Sequence, residues 1–201
     1  MGKNTNKNKI CKTWLNILKK EELKLQKESV KTLKKYSNKY NDENIDLLIN
    51  YVENNNSSTK RSDTFGHITA SSIIISKGKM LLIFHKTLKM FIQPGGHLEN
   101  DTSLWEAAKR EAIEETGLDV ELHEQYGDIP VYIDIQEIPE NKKKQELAHT
   151  HFDCMFVFKS KNEQVKLQEG EVSDYKWVPL DSDFENIGIK CVIDKINKSN
   201  L

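Results

Sequence analysis

The chain has 201 residues, with 30 basic and 31 acidic side chains that leave a formal charge of −1. That length supports one substantial core with an appendage rather than two full domains, and the charge balance gives no global reason to expect a nucleic-acid or membrane-surface partner. The three cysteines, Cys11, Cys154 and Cys191, are odd in number and lack CxxC or Cys/His spacing, which argues against a disulfide framework or a structural zinc site.

The polar start MGKNTNKNKI carries no signal-like apolar run, and no stretch approaches the roughly 20 apolar residues of a membrane span; a cytoplasmic protein is expected. From Thr13 to Tyr51, Trp14, Leu15, Leu18, Leu23, Leu25, Val30 and Leu33 sit among lysines and glutamates, followed by Ile45, Leu47, Leu48 and Ile49. This spacing predicts two or more amphipathic helices, broken at SNKYND. Residues 54–63, NNNSSTKRSD, read as a linker, so the expected division is a helical extension over 1–60 and a main domain over 61–201. The extension could cover a site, mediate homodimer formation or complete the core.

Beyond the linker the pattern turns β-branched. HITASSIII and KMLLIFH flank Lys77-Gly78 as a hairpin. QPGG reads as a turn into a helical stretch at 103–116. Further strands are expected at Val120–Leu122, Val131–Ile138, Phe152–Phe158 and Tyr175–Val178, with a last helix near Ile189–Ile196. Strands on both sides of a central helix predict an α/β fold in sandwich form.

The informative segment is PGGHLENDTSLWEAAKREAIEETGLDV, residues 94–120. Ser103 and Glu106 have capping-box spacing and Gly117 supplies the stop. Glu111, Glu114 and Glu115 then share one helix face, beside an apolar stripe of Leu104, Ala108 and Ala112. Three carboxylates so close repel by a few tenths of a kcal/mol per pair. A hard divalent cation with oxygen ligands would relieve them; a solvated acidic face is the plainer alternative.

The neighbouring residues decide between these. The segment resembles the Nudix hydrolase signature, a glycine, five residues, a glutamate, seven residues and REUxEExGU with U apolar. Gly96, Arg110, Glu111, Ala112, Glu114, Glu115, Gly117 and Leu118 stand at its positions, and Thr102 stands where the family has its first glutamate. GHITAS at 66–71, QPGGH at 93–97 and the His149, His151, Asp153 pattern are similar to a bacterial subgroup of the family. The resemblance implies a Nudix-type α/β/α sandwich with a mixed β-sheet. It also implies Mg²⁺, or Mn²⁺, held by Glu111, Glu114, Glu115 and the Gly96 carbonyl, and hydrolysis of a phosphoanhydride bond in a nucleoside diphosphate linked to another moiety. Arg110 would orient a glutamate, and Glu99 or Glu106 could stand in for the glutamate missing at Thr102.

Glu171, with Glu169 behind it, is the candidate downstream base or metal residue. His67 and His97 belong to the subgroup-like elements and are candidates for lining the substrate site or fixing its loop. His149 and His151 share a strand face, so they could reach a substrate phosphate or a metal, or be ordinary surface positions. The expected partner is a small nucleotide-type substrate, not nucleic acid. The rival function is a degenerate module that binds a nucleotide or sugar phosphate without efficient turnover, with Thr102 as its motive.

Overall fold

The computed structural model describes residues 3–42, 45–142, 146–168, 170–184 and 186–199, with the side chains of all of these except 3–15, 17 and 199. In chain order the elements are α1 (Lys3–Tyr40), α2 (Asp46–Asn54), β1 (Gly66–Ser76), β2 (Lys79–His85), β3 (Met90–Ile92), β4 (Gly95–His97), α3 (Leu104–Thr116), β5 (Val120–Leu122), β6 (Tyr132–Ile138), β7 (His149–Ser160), β8 (Val172–Pro179) and α4 (Ile187–Ser199). Each expected helix and strand has a counterpart. The reading of QPGG as a turn is corrected: Gly95–His97 is a short strand pairing antiparallel with β1, and Met90–Ile92 is a second one pairing with β2. Strands of three residues have too little alternation to be read from sequence, and in β4 two of the three are glycine.

The sheet is mixed. β1 and β7 run parallel along ten residue pairs, from Gly66↔Thr150 to Ile75↔Lys159, and the remaining pairings are antiparallel. β2 pairs with β1 only at Ile75↔Met80 and Ser76↔Lys79, next to the hairpin turn. β8 lines the other edge of β2 along its whole length, from Lys79↔Pro179 to His85↔Val172, and where β2 diverges from β1, β4 takes the vacated edge at Thr69, Ala70 and Ser71. On the far edge of β7, β6 and β5 follow one another along the strand.

Two apolar layers sandwich the sheet. On one side Ile68, Ala70 and Ile74 of β1 join Cys154, Phe156 and Phe158 of β7 and the inner face of α3, all buried. On the other side Ile73, Met155 and Val157 meet Ile189, Val192 and Ile193 of α4. Period-two alternation along β1 and β7 produces this division, so adjacent residues serve opposite layers.

The N-terminal helices add to the first layer. Leu25, Leu33 and Tyr36 of α1 and Leu48, Ile49 and Val52 of α2 are buried in the same cluster as Leu104 and Ala107. The Trp14 and Leu15 side chains lie outside the described residues. Lys195 on α4 donates to the Tyr36 hydroxyl at 3.2 Å, so the end of α1 also touches the opposite layer. Among the described residues no helix is long and apolar enough to cross a membrane.

Candidate active site

The sequence punctuates α3 at both ends. Ser103 is extended, and its hydroxyl accepts the Glu106 N–H at 3.4 Å. Gly117 adopts φ 65° and its N–H donates to the Ile113 carbonyl at 2.8 Å. Only half of the expected capping box forms, because the Glu106 carboxylate turns to the N–H and hydroxyl of Thr102. The helix is seated on the sheet by Leu104, Ala107, Ala108 and Ala112 and by Ser72, which donates to the Ala108 carbonyl at 2.6 Å.

That seating aims Glu115 and Glu111 at the β4 loop and leaves Glu114 beside them. Glu115 is buried, and its Oε2 accepts the Gly95 N–H at 3.0 Å. Glu111 lies against Gly96, where a Cβ would stand 2.5 Å from its Oε1, so only glycine permits this approach. Glu114 sits at the exposed rim.

Arg110 binds loop and helix together, and all five of its N–H groups find acceptors. Nε and Nη2 donate to the two carboxylate oxygens of Asp101, each at 3.1 Å. Nη1 donates to Glu111 at 2.9 Å and to Glu114 at 3.1 Å, and Nη2 also donates to the His97 carbonyl at 2.9 Å. The paired bonds to Asp101 form the two-pronged geometry in which Arg–carboxylate contacts are strongest. The glutamate absent at Thr102 is therefore replaced by neither Glu99 nor Glu106; the residue before it, Asp101, braces the arginine. Glu99 is exposed and uses its N–H on Asp101. Asp101 was missed because the signature fixes spacing by one residue, although an acidic side chain beside the substituted position was the available signal.

Electrostatics suit this corner to a cation. Burial pushes the Glu115 carboxyl up to about 8; the Gly95 N–H opposes this, and the charges of Glu111, Glu171 and Glu114 add to it. Burial also raises Glu111, against the pull of Arg110. Carboxylates that resist ionising together would be relieved by a divalent ion, and an all-oxygen donor set favours a hard one such as Mg²⁺ or Mn²⁺. The residues present fit the metal that the signature implies.

Glu171 stands in the turn before β8, exposed, with its carboxylate 3.7 Å from His85 Nε2. Its carbonyl accepts the Lys86 N–H at 2.9 Å, and its charge acts on Glu115, which brings it to the same corner. Glu169 lies outside the described residues.

The histidines are elsewhere. Along β4, Gly96 faces Glu111, so His97 faces the opposite side of the sheet by alternation. His67 precedes Ile68, which packs toward α3, and His151 precedes Phe152 in the same way. His67, His97 and His151 therefore cluster on the α4 side, with His149 beside them. The expected site residues form two groups separated by the sheet, one of carboxylates and one of imidazoles.

A family model described as the NUDIX domain matches residues 66–186, more than half of the chain. The chain belongs to the Nudix family. This Nudix chain is 25% identical over 146 residues to the probable DHNTP pyrophosphohydrolase of Lactococcus lactis, a match covering 72% of the chain and 86% of that protein. It is 42% identical over 55 residues to phosphatase NudJ of Escherichia coli, covering 26% of the chain and 35% of NudJ, so that match spans about a third of the relative. The crystal structure of a NUDIX-family hydrolase from Clostridium perfringens superposes with a TM-score of 0.50 at 22% identity, covering 66% of this chain and 97% of that one. The Nudix match begins at the first residue of β1, leaving α1 and α2 outside it.

Proposed function

We propose that this Nudix enzyme is a divalent-cation-dependent hydrolase of a phosphoanhydride bond in a nucleoside diphosphate linked to another moiety, acting in the cytoplasm. The observation that carries the reading is the packing of Glu111 and Glu115 on the Gly95-Gly96 loop, with Glu114 tied to the same corner through Arg110, which Asp101 and the carboxylates saturate.

Glu111, Glu114 and Glu115, with the Gly96 carbonyl, would hold Mg²⁺ or Mn²⁺. Such an ion supplies neutralisation of the diphosphate and Lewis acidity at phosphorus. The protein's own part is positioning, most of what phosphoryl chemistry asks. Arg110 fixes the rotamers of Glu111 and Glu114 and ties them to the loop through the His97 carbonyl. Glu171, solvent-facing and within electrostatic reach of Glu115, is the candidate proton acceptor for the attacking water. The degenerate-module alternative loses its motive, because Asp101 supplies the brace that Thr102 cannot.

The test is a phosphate-release screen over nucleoside diphosphate conjugates and nucleoside triphosphates with Mg²⁺ or Mn²⁺, run beside a Glu114→Gln, Glu115→Gln double variant. Turnover in the wild type that is abolished in the variant is expected. Equal product from both would refute the metal assignment. A ligand that raises Tm without turning over would instead support a binding module.

A further inference from the structure

Three strands and one register bring the histidines together. β1 and β7 set His67 opposite His151, and β4 sets His97 opposite Thr69, one step along the same face. The His67 ring lies 5.0, 5.0 and 4.8 Å from those of His97, His149 and His151, centroid to centroid. One ring nitrogen from each of His67, His97 and His151 lies within 4.8 Å of the other two.

A stacked aromatic cluster would explain the ring spacing but not the nitrogens. His67 is 1% exposed, and its Nε2 has no hydrogen-bond partner among the described residues. An unsatisfied buried polar atom costs about 1–3 kcal/mol. Its Nδ1 lies 3.4 Å from the Asp63 carbonyl, which assigns the proton to Nδ1 and leaves Nε2 with a bare lone pair. His149 repeats the arrangement: Nδ1 sits 2.7 Å from the Leu147 carbonyl and Nε2 3.1 Å from Nε2 of His151. A carbonyl holding one ring nitrogen while the other points into a cluster is the usual support of a metal-bound histidine. The 3.1 Å between Nε2 of His149 and Nε2 of His151 is close to the spacing of two imidazoles on one tetrahedral ion, about 3.3 Å for metal–nitrogen bonds near 2.05 Å, and the wider set of His67, His97 and His151, within 4.8 Å, would draw in around it.

We propose that His67, His97 and His151 bind a divalent transition-metal ion of the Zn²⁺ class, with His149 completing a tetrahedral set. The site is separate from the carboxylate corner in place and in chemistry. Imidazole nitrogen suits Zn²⁺ and its neighbours in the transition series, whereas carboxylate oxygen suits Mg²⁺ and Mn²⁺. The ion would fasten β1, β7 and β4 from the side opposite α3. Because Gly96 and His97 are neighbours on β4, it would also hold from behind the loop against which Glu111 and Glu115 pack.

The test uses the full chain without an affinity tag, stripped with a chelator and desalted. Zn²⁺ is titrated by calorimetry, Co²⁺ by visible absorption. Expected are one ion per chain, the strong d–d bands of tetrahedral Co²⁺, and a Tm that rises with Zn²⁺. Binding should be lost in folded His67→Ala and His151→Ala variants and kept in a Glu111→Gln, Glu114→Gln variant. Absence of the bands and of a Zn²⁺-dependent Tm in the folded wild type would overturn the proposal without reference to any variant. So would Zn²⁺ binding that disappears with the glutamates and survives loss of the histidines.

Discussion

The two faces of the β1–β4–β7 sheet carry different side-chain chemistry from the same short strands. On the α3 side, oxygens crowd together and are tied to a guanidinium. On the α4 side, imidazoles crowd together, and Arg61, whose charge acts on His67, His97 and His151, forms an ion pair with Glu146. The difference teaches that strand alternation can place two sites back to back while their residues remain sequence neighbours, as Gly96 and His97 are. Metal preference then follows from donor type, hard for the oxygens and softer for the nitrogens.

The comparison breaks first where the oxygen set is altered. Glu115→Gln keeps an acceptor for the Gly95 N–H while removing a charge, so kcat should fall about 10³-fold with little change in the Tm of the metal-free chain. A steady-state assay beside a thermal melt reads both, and a large drop in Tm would mark Glu115 as a structural residue instead. Next in size, Asp101→Ala strips the brace from Arg110 and leaves two of its N–H groups without their acceptor. A loss of roughly 2 kcal/mol of stability and about 10- to 100-fold of activity is expected, measured by urea denaturation and initial rates. Asp101→Asn should recover part of both.

A smaller effect tests how firmly the N-terminal helices belong to the oxygen face. Burial raises Tyr40 and Tyr51 to about 12 each, with added contributions from Tyr126 for the former and Asp63 for the latter. The folded pKa exceeds the unfolded value, so the native state keeps protons that the unfolded chain releases. This stability is complete below pH 10 and is lost as pH rises from 10 toward 12. After allowance for partial exposure it is on the order of 1 kcal/mol for each tyrosine. Urea midpoints between those pH values should fall in the wild type and fall less in a Tyr51→Phe variant. The smallest change is expected of Thr102→Glu: with Asp101 already on Arg110, restoring the signature residue should alter kcat/KM by less than about threefold. A hundredfold gain would show that the Asp101 brace is inadequate.

How much was legible depended on whether a signal was local. The α3 boundaries were readable because Ser103 and Gly117 are caps with fixed chemistry, and the carboxylate face because helical spacing alone aligns Glu111, Glu114 and Glu115. The long strands β1 and β7 announced themselves by β-branched and aromatic runs. β3 and β4 did not, having only three residues each and, in β4, glycine where a side chain would mark the face. Asp101 escaped because loop geometry, not spacing, decides which carboxylate reaches an arginine. The histidine cluster was divided among separate motifs, since nothing in the sequence says that β7 lies parallel to β1 with His151 beside His67. Cys/His spacing was the wrong instrument for it: the spacing describes ligands on one turn, and these come from three strands.

The most direct test of the central claim, that the α3 carboxylates hold the cation needed for hydrolysis, is the initial rate of phosphoanhydride cleavage against Mg²⁺ concentration in the wild type and in Glu111→Gln. A saturable Mg²⁺ requirement is expected in the wild type and, in the folded variant, a rate that stays near background throughout the titration. Superimposable curves for the two proteins would contradict that claim.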